Sequence, residues 1–254
     1  MRYRKSLPVF LILFTIIAFS NLFAQTKTFV TTGLSWWSAQ YDIVNKDGDK
    51  VWDVGNTNMF GPYISVSHNK FNFGASLFWG SVSIKDLEGV DLKRADLNLT
   101  AGYRLLNTSA FNMNLFLGMK YLNLGLTGKQ TTYEWDPFYQ TYYPVETDMD
   151  VTNSGALFGG GISTIIPFGT SRLYAYGSLA ALAGTLTYKN NVSTLSQTND
   201  ASTSIVSLTA GLGYRFPSGL GINGGYRGDF FGSEDSDLVD RLQGFNLTLS
   251  YTFQ

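Results

Sequence analysis

An all-β fold, a transmembrane antiparallel up-and-down barrel, is predicted by three features of this chain. Segments of strand length alternate apolar and polar side chains, the connections between them alternate short and long, and acidic residues gather in the long ones. Residues 94 to 105 show the alternation best. Ala95, Leu97, Leu99, Ala101, Tyr103 and Leu105 fall on one face and Arg94, Asp96, Asn98, Thr100, Gly102 and Arg104 on the other. One face suits hydrocarbon and the other an enclosed polar space, so the wall is apolar outside and polar within.

At the N-terminus, Arg2, Arg4 and Lys5 precede an apolar run from Leu7 to Phe19, followed by Ser20, Asn21 and an expected cleavage after Ala24. Residues 1–24 thus read as a removable signal peptide, since a permanent helical anchor needs about 20 apolar residues. Residues 25–254 are expected to form a single barrel domain, with no soluble tail after the last strand. The chain has 27 Gly, 19 Phe and 15 Tyr but only 15% charged residues, which suits strands and turns rather than helices. It has no Cys, which excludes a lipid anchor and a disulfide framework.

Ten strands are expected, at 27–41, 57–68, 71–84, 94–105, 111–126, 151–166, 172–188, 204–216, 220–231 and 243–253. Eight or twelve result if a weak segment is misread. An even count returns both termini to one side of the membrane. The third strand sends Phe71, Phe73, Ala75, Leu77 and Trp79 outward and Asn72, Gly74, Ser76 and Gly80 inward. In the fifth, Phe111, Met113, Leu115, Leu117 and Met119 oppose Asn112, Asn114, Gly118 and Lys120, and in the eighth Val206, Leu208, Ala210, Leu212, Tyr214 and Phe216 oppose Ser207, Thr209, Gly211, Gly213 and Arg215. Strands one, six and seven alternate less cleanly, and a bulge or slip is expected there.

Residues 68–70, 106–110, 167–171 and 217–219 are short turns, whereas 42–56, 85–93, 127–150, 189–203 and 232–242 are long loops. Outer-membrane barrels of bacteria have short periplasmic turns and long extracellular loops. The expected location is therefore the outer membrane of a Gram-negative bacterium, with long loops outside and termini periplasmic. Seventeen of the 19 acidic residues lie in the long loops, against seven basic ones, so a chain of net charge −1 hides a rim of about −10. No basic patch points to nucleic acid.

Charges within a membrane-spanning wall are costly unless paired or hydrated, so Arg94, Asp96, Arg104, Lys120, Arg215, Arg227 and Asp229 are expected to face the lumen. Ten strands lie near the size at which side chains fill the interior. The leading expectation is a lumen filled by ion pairs and polar side chains, and a structural or surface-interaction role. The alternative is a narrow porin-like channel for small solutes, mildly anion-preferring because five bases face two acids.

The loop 127–150 holds Tyr133, Trp135, Phe138, Tyr139, Tyr142 and Tyr143. They form either a surface-recognition site or, as preferred here, a hairpin that continues the fifth and sixth strands with cross-strand aromatic pairs.

Asn45, Asp47, Asp49 and Asp53 miss the spacing of a calcium loop, and no metal ligand or cofactor is assigned. Gly219, Gly221 and Gly224 match a dinucleotide-binding spacing but continue as strand alternation, not as a helix. Gly159, Gly160 and Gly161 read as places where a neighbouring aromatic lies on bare backbone. His68 is the one histidine, in a short turn, so hydrolytic and zinc chemistry lack their usual groups and no enzyme activity is expected.

The last segment alternates Phe245, Leu247, Leu249, Tyr251 and Phe253 with Asn246, Thr248, Ser250 and Thr252. It resembles the C-terminal targeting strand of bacterial outer-membrane β-barrel proteins, the superfamily of small barrels and porins. That resemblance implies that Tyr251 and Phe253 are the assembly signal read by the barrel-assembly machinery. A monomer surrounded by outer-membrane lipid and lipopolysaccharide is expected. Gln254 departs from the pattern, in which an aromatic ends the chain.

Overall fold

The computed structural model describes residues 28–84, 90–192, 195–233 and 236–253. The expected signal peptide, residues 1–24, lies outside them. Ten strands are present: β1 Thr28–Asn45, β2 Lys50–His68, β3 Phe71–Ser83, β4 Val90–Asn107, β5 Asn112–Asp136, β6 Thr141–Pro167, β7 Leu173–Val192, β8 Leu195–Arg215, β9 Leu220–Ser233 and β10 Leu238–Phe253. Each pairs antiparallel with its sequence neighbour, and β10 pairs with β1, which closes the sheet. Closure satisfies every ladder without a free edge, the condition for crossing hydrocarbon with strands.

At the short-turn end the strand limits fall within about two residues of expectation. The Asn69-Lys70 connection is a two-residue hairpin turn with Asn69 at φ 55°, a conformation Asn tolerates better than most residues. At the other end the expectation needs correction. Much of the segments 42–56, 127–150 and 189–203 is strand, because ladder pairing continues past the point where the outer face stops being apolar. Thr127 to Asp136 pairs with Thr141 to Asp150, leaving a turn of only four residues. Bulges interrupt the β1–β2 pairing near Asp42 and Val44 and the β4–β5 pairing near Leu106, whereas the β5–β6, β6–β7 and β7–β8 ladders run without a shift. The irregularity expected in strands six and seven is thus absent among the described residues. Of the three consecutive glycines, Gly161 is the one where an added Cβ would meet an aromatic ring, that of Phe116.

The outer wall toward the short turns is a continuous apolar belt. Leu117 is 72% exposed, and Leu34, Phe158, Leu212 and Leu249 all exceed half exposure. Trp36, Phe60, Trp79, Tyr121 and Phe245 mark its upper edge, and Phe71, Tyr103, Tyr214, Phe216, Tyr251 and Phe253 its lower one. Between Phe216 and Val206 a strand at the usual tilt rises roughly 25 Å, the height of an outer-membrane apolar band. Several rings of the lower girdle pack edge to face, Phe71 on Tyr103 at 5.5 Å and Tyr251 on Phe253 at 4.8 Å.

Above the belt the polarity of the wall inverts. Along β5 the outward residues pass from Leu117, Met119 and Tyr121 to Asn123, Gly125 and Thr127. Its inward residues pass from Asn114, Gly118 and Lys120 to Leu122, Leu124 and Leu126. On β4, outward Leu99 and Leu97 give way to Lys93 and Asp91, while inward Asn98 and Asp96 give way to Leu92 and Val90. The projecting end therefore contains an ordinary apolar interior. Leu122, Leu157, Leu182, Leu186, Ile205 and Phe231 form one cluster, Trp37, Ala39, Met59, Phe78 and Leu242 a second, and Val54, Val82, Ile84 and Val90 a third. Around the third pack Tyr41, Ile43, Leu92 and Leu126.

Candidate functional site in the barrel lumen

At the level where the polarity changes, five charged residues meet inside the barrel. Strand pairing sets them face to face: Asp96 lies two positions after Arg94 on β4, Asn98 pairs with Lys120 on β5, and Asp229 follows Arg227 by two positions on β9. The even spacing turns each pair to the same face. Arg94 donates from Nε to Asp96 Oδ1 at 2.8 Å and from Nη2 to Asp96 Oδ2 at 2.7 Å, a two-pronged contact that fits guanidinium to carboxylate. Lys120 Nζ donates to Asp229 Oδ2 at 2.6 Å and lies 3.6 Å from Asp96 Oδ2. Arg94 Nη2 also reaches Asp229 Oδ2, at 3.2 Å, and Arg227 stands off the same oxygen at 3.6 Å. Asp96 and Asp229 have no exposed surface.

Aromatic rings close around this network. Arg94 lies 4.9 Å and Lys120 5.8 Å from the centre of the Phe231 ring. The Arg227 guanidinium stands 4.2 Å from the Trp37 ring centre and 4.5 Å from that of Phe78. Ring faces attract cations, more so where water is excluded. Over the network sit the apolar clusters, and at the same end Tyr41 donates its hydroxyl proton to Asp240 at 3.1 Å. Such an arrangement can hold charge in place and block water and ions. It leaves no carboxylate pair exposed to a substrate.

Of the seven charged residues expected in the lumen, the structure gathers five, Arg94, Asp96, Lys120, Arg227 and Asp229, into this one layer. Arg104 and Arg215 share their inward register but lie toward the short turns, apart from the layer, where Arg215 is within electrostatic reach of Tyr63 and Tyr174. Trp37, Phe78 and Phe231, which complete the site, were not singled out by sequence. Their signal is a large aromatic on the polar face of a strand.

Below the layer the lumen is polar and only partly filled. A cavity of about 340 Å³ is lined by Ser35, Ser65, Ser76, Asn98, Asn223 and Thr248 among others, and a second of about 270 Å³ adjoins it at Thr100. Ser35 and Thr248 share a hydrogen bond at 2.8 Å, and Tyr174 donates to Asn223.

The aromatic segment 127–150 is the hairpin of β5 and β6. Trp135 and Tyr142, directly opposite in the ladder, pack edge to face at 5.0 Å. Phe138 and Tyr139 occupy the tip, 91% and 77% exposed, and Tyr133 and Tyr143 complete the set. Asn45 and Asp49 spend their side chains on the β1–β2 turn, where the Asp49 amide donates to Asn45 Oδ1 at 2.8 Å. Among the described residues no three acidic or histidine side chains converge as a metal site. His68 hydrogen-bonds Thr28 and Asn69 at the short-turn end.

A closed ten-stranded sheet with a lipid-compatible belt and an ion-paired interior defines a transmembrane β-barrel. Residues 57–253 match the model of the outer membrane protein beta-barrel domain, and the chain belongs to that family of bacterial outer-membrane barrels. The sequence matches no curated protein. Among solved structures, the outer membrane protease OmpT of Escherichia coli is similar in fold, with a TM-score of 0.59 at 10% identity over 90% of this chain and 98% of that one. The translocator domain of the autotransporter NalP of Neisseria meningitidis aligns with a TM-score of 0.46 at 11% identity over 97% and 96%. Ail, the attachment invasion locus protein of Yersinia pestis, aligns at 0.36 and 12% over 88% and 98%. At such identities the likeness is one of fold.

Proposed function

We propose that this protein is a non-conducting outer-membrane barrel whose role is structural and interactive, acting through the half that projects beyond the lipid. The observation that carries this reading is the layer of Arg94, Asp96, Lys120, Arg227 and Asp229, paired with one another inside the barrel and capped by Phe231 and the apolar clusters. An aqueous channel requires a wider or emptier interior than a ten-stranded barrel filled in this way. The long-loop end faces outward and the termini face the periplasm, in keeping with the sorting of short and long connections. The acidic rim and the aromatic hairpin tip are then the surfaces offered to the surroundings.

The proposed role is non-enzymatic, supported by the position of His68 at the end opposite the projecting half. Lipid and lipopolysaccharide surround the belt. The barrel works as a monomer, because closure leaves no strand edge in the membrane for a second copy. Tyr251 and Phe253, exposed together at the lower girdle, serve as the recognition feature for the assembly machinery. The test is conductance in planar bilayers: purified protein is expected to insert without steady current. Discrete open-channel steps that change when Lys120 or Arg227 is neutralised would overturn the proposal in favour of a narrow diffusion channel.

A further inference from the structure

The charge layer divides the lumen into two unlike compartments. On its short-turn side the inward-facing positions of the described residues carry no carboxylate at all. Their charges are Arg215 and Arg104 toward the mouth, and Arg227 belongs to the layer above them. The acids of the lumen are already engaged above: Asp96 by Arg94, Asp229 by Lys120 and Arg94, and Asp240 by the Tyr41 hydroxyl.

Arg227 is the base of the layer that those acids hold least. Its nearest carboxylate oxygen, 3.6 Å away, belongs to Asp229 and already accepts from Lys120 and Arg94. Stacking between Trp37 and Phe78 fixes the guanidinium through its faces and leaves the in-plane N–H groups to find acceptors. Phe78 is also part of the lining of the 340 Å³ cavity, so Arg227 stacks on a ring that borders that space. The remaining lining is rich in hydroxyl and amide groups, from Ser35, Ser65, Ser76, Asn98, Asn223 and Thr248. A planar fork of donors beside the cavity, hydroxyl and amide groups in its lining and a lumen half of one sign suit an oxyanion.

We propose that the short-turn half of the lumen is a binding vestibule for a small soluble phosphate- or carboxylate-bearing anion, held by Arg227 and drawn in past Arg215 and Arg104. The chemistry matches a phosphate group generally, and a lipid headgroup carries the same group. A cavity on the inner side of the barrel wall, away from the lipid-facing belt, favours the soluble source. The vestibule does not depend on whether the lumen conducts. A conducting barrel gives current steps whatever the binding result, so failure of one reading is distinguishable from failure of the other.

The experiment is calorimetric titration of the full folded protein with inorganic phosphate in zwitterionic detergent at low ionic strength, with chloride as reference. Saturable binding of phosphate is expected, and Arg227→Gln should lower affinity about tenfold or more, as loss of a two-pronged charged contact does. Arg215→Gln, at an exposed position where folding is not at issue, should weaken binding about two- to fivefold by removing one attracting charge. Lys70→Gln is the control, because Lys70 lies over the Tyr103 ring on the outer wall, 5.8 Å from its centre, and should leave binding unchanged. If Arg227→Gln does not fold, Arg227→Lys, which keeps the charge and loses the fork, takes its place beside the Arg215 and Lys70 pair. Absence of saturable binding by the wild type, or an equal loss in the Lys70 and Arg215 variants, overturns the proposal. A last arm uses nanodiscs: phosphate binding should persist in both phosphatidylcholine and phosphatidylglycerol bilayers. Its disappearance in phosphatidylglycerol assigns the site to lipid headgroups and overturns the soluble-anion reading.

Discussion

The belted half and the projecting half of this barrel are made from the same strands but obey opposite rules. Within the belt, Leu115 and Leu117 face out and Asn114 and Gly118 face in, whereas a few residues further along β5 it is Leu122, Leu124 and Leu126 that face in. The lesson is that the side on which a strand hides its apolar residues is set by what surrounds each stretch. In lipid the outside is already dry, so the interior can be polar; in water the interior must be the dry place. The charge layer sits where the two rules meet, and there buried ions are balanced by one another and by rings, with neither lipid nor bulk water to help.

Breaking that boundary should have the largest effect. Asp229→Ala leaves Lys120, Arg94 and Arg227 around an empty place, and removal of one partner from a buried ionic network costs about 3–5 kcal/mol. Urea unfolding in detergent, followed by heat-modifiable gel mobility, is expected to show the shift. If the loss is under about 1 kcal/mol, water reaches the layer and the proposed plug is open.

Next comes the projecting core. Leu157→Ala, at a fully buried site, should cost about 2–5 kcal/mol through lost burial and an unfilled cavity. Leu117→Ala, in the belt, should cost far less, since lipid flows into the space and is as apolar as leucine. Equal losses in the same unfolding assay would erase the distinction between the halves.

A charge on the lipid face sharpens it further: Leu117→Arg should destabilise by about 2–4 kcal/mol near the bilayer midplane. Thr127→Arg, at an outward position above the belt, should be nearly neutral, and the pair can be compared by refolding yield into vesicles. The smallest expected effect lies at the hairpin. Trp135→Ala removes a cross-strand aromatic pair worth roughly 0.2–1 kcal/mol and should raise hydrogen exchange in Tyr133 to Tyr142 without altering the barrel's unfolding midpoint.

The fold was legible in the sequence wherever one rule holds for a whole segment. Residues 94–105 and 204–216 keep a single phase, and at the short-turn end their limits fall within two residues of the strand ends. The projecting half reads as loop in the sequence because its apolar residues change face without breaking the period of two. In β5 the run Lys120, Tyr121, Leu122 contains the switch, yet Leu122, Leu124 and Leu126 fall on the same positions as the polar set below them. Charges near the switch were visible for the same reason that ions in a spanning strand are conspicuous. Their aromatic enclosure was not, because Trp37 and Phe231 each look like one more apolar residue until the closed sheet brings Arg227 or Arg94 against them.

The pairing of β10 with β1 carries a consequence for how the molecule is made. Until the final strand arrives, every partial product is an open sheet with two raw hydrogen-bonding margins and a greasy flank, a template for clumping with its own kind. Joining the extreme ends of the chain is also the contact of greatest sequence separation, hence the slowest to be won by random search. Biogenesis should therefore be all-or-nothing, with escort in solution up to a final zipping step that seals the ring.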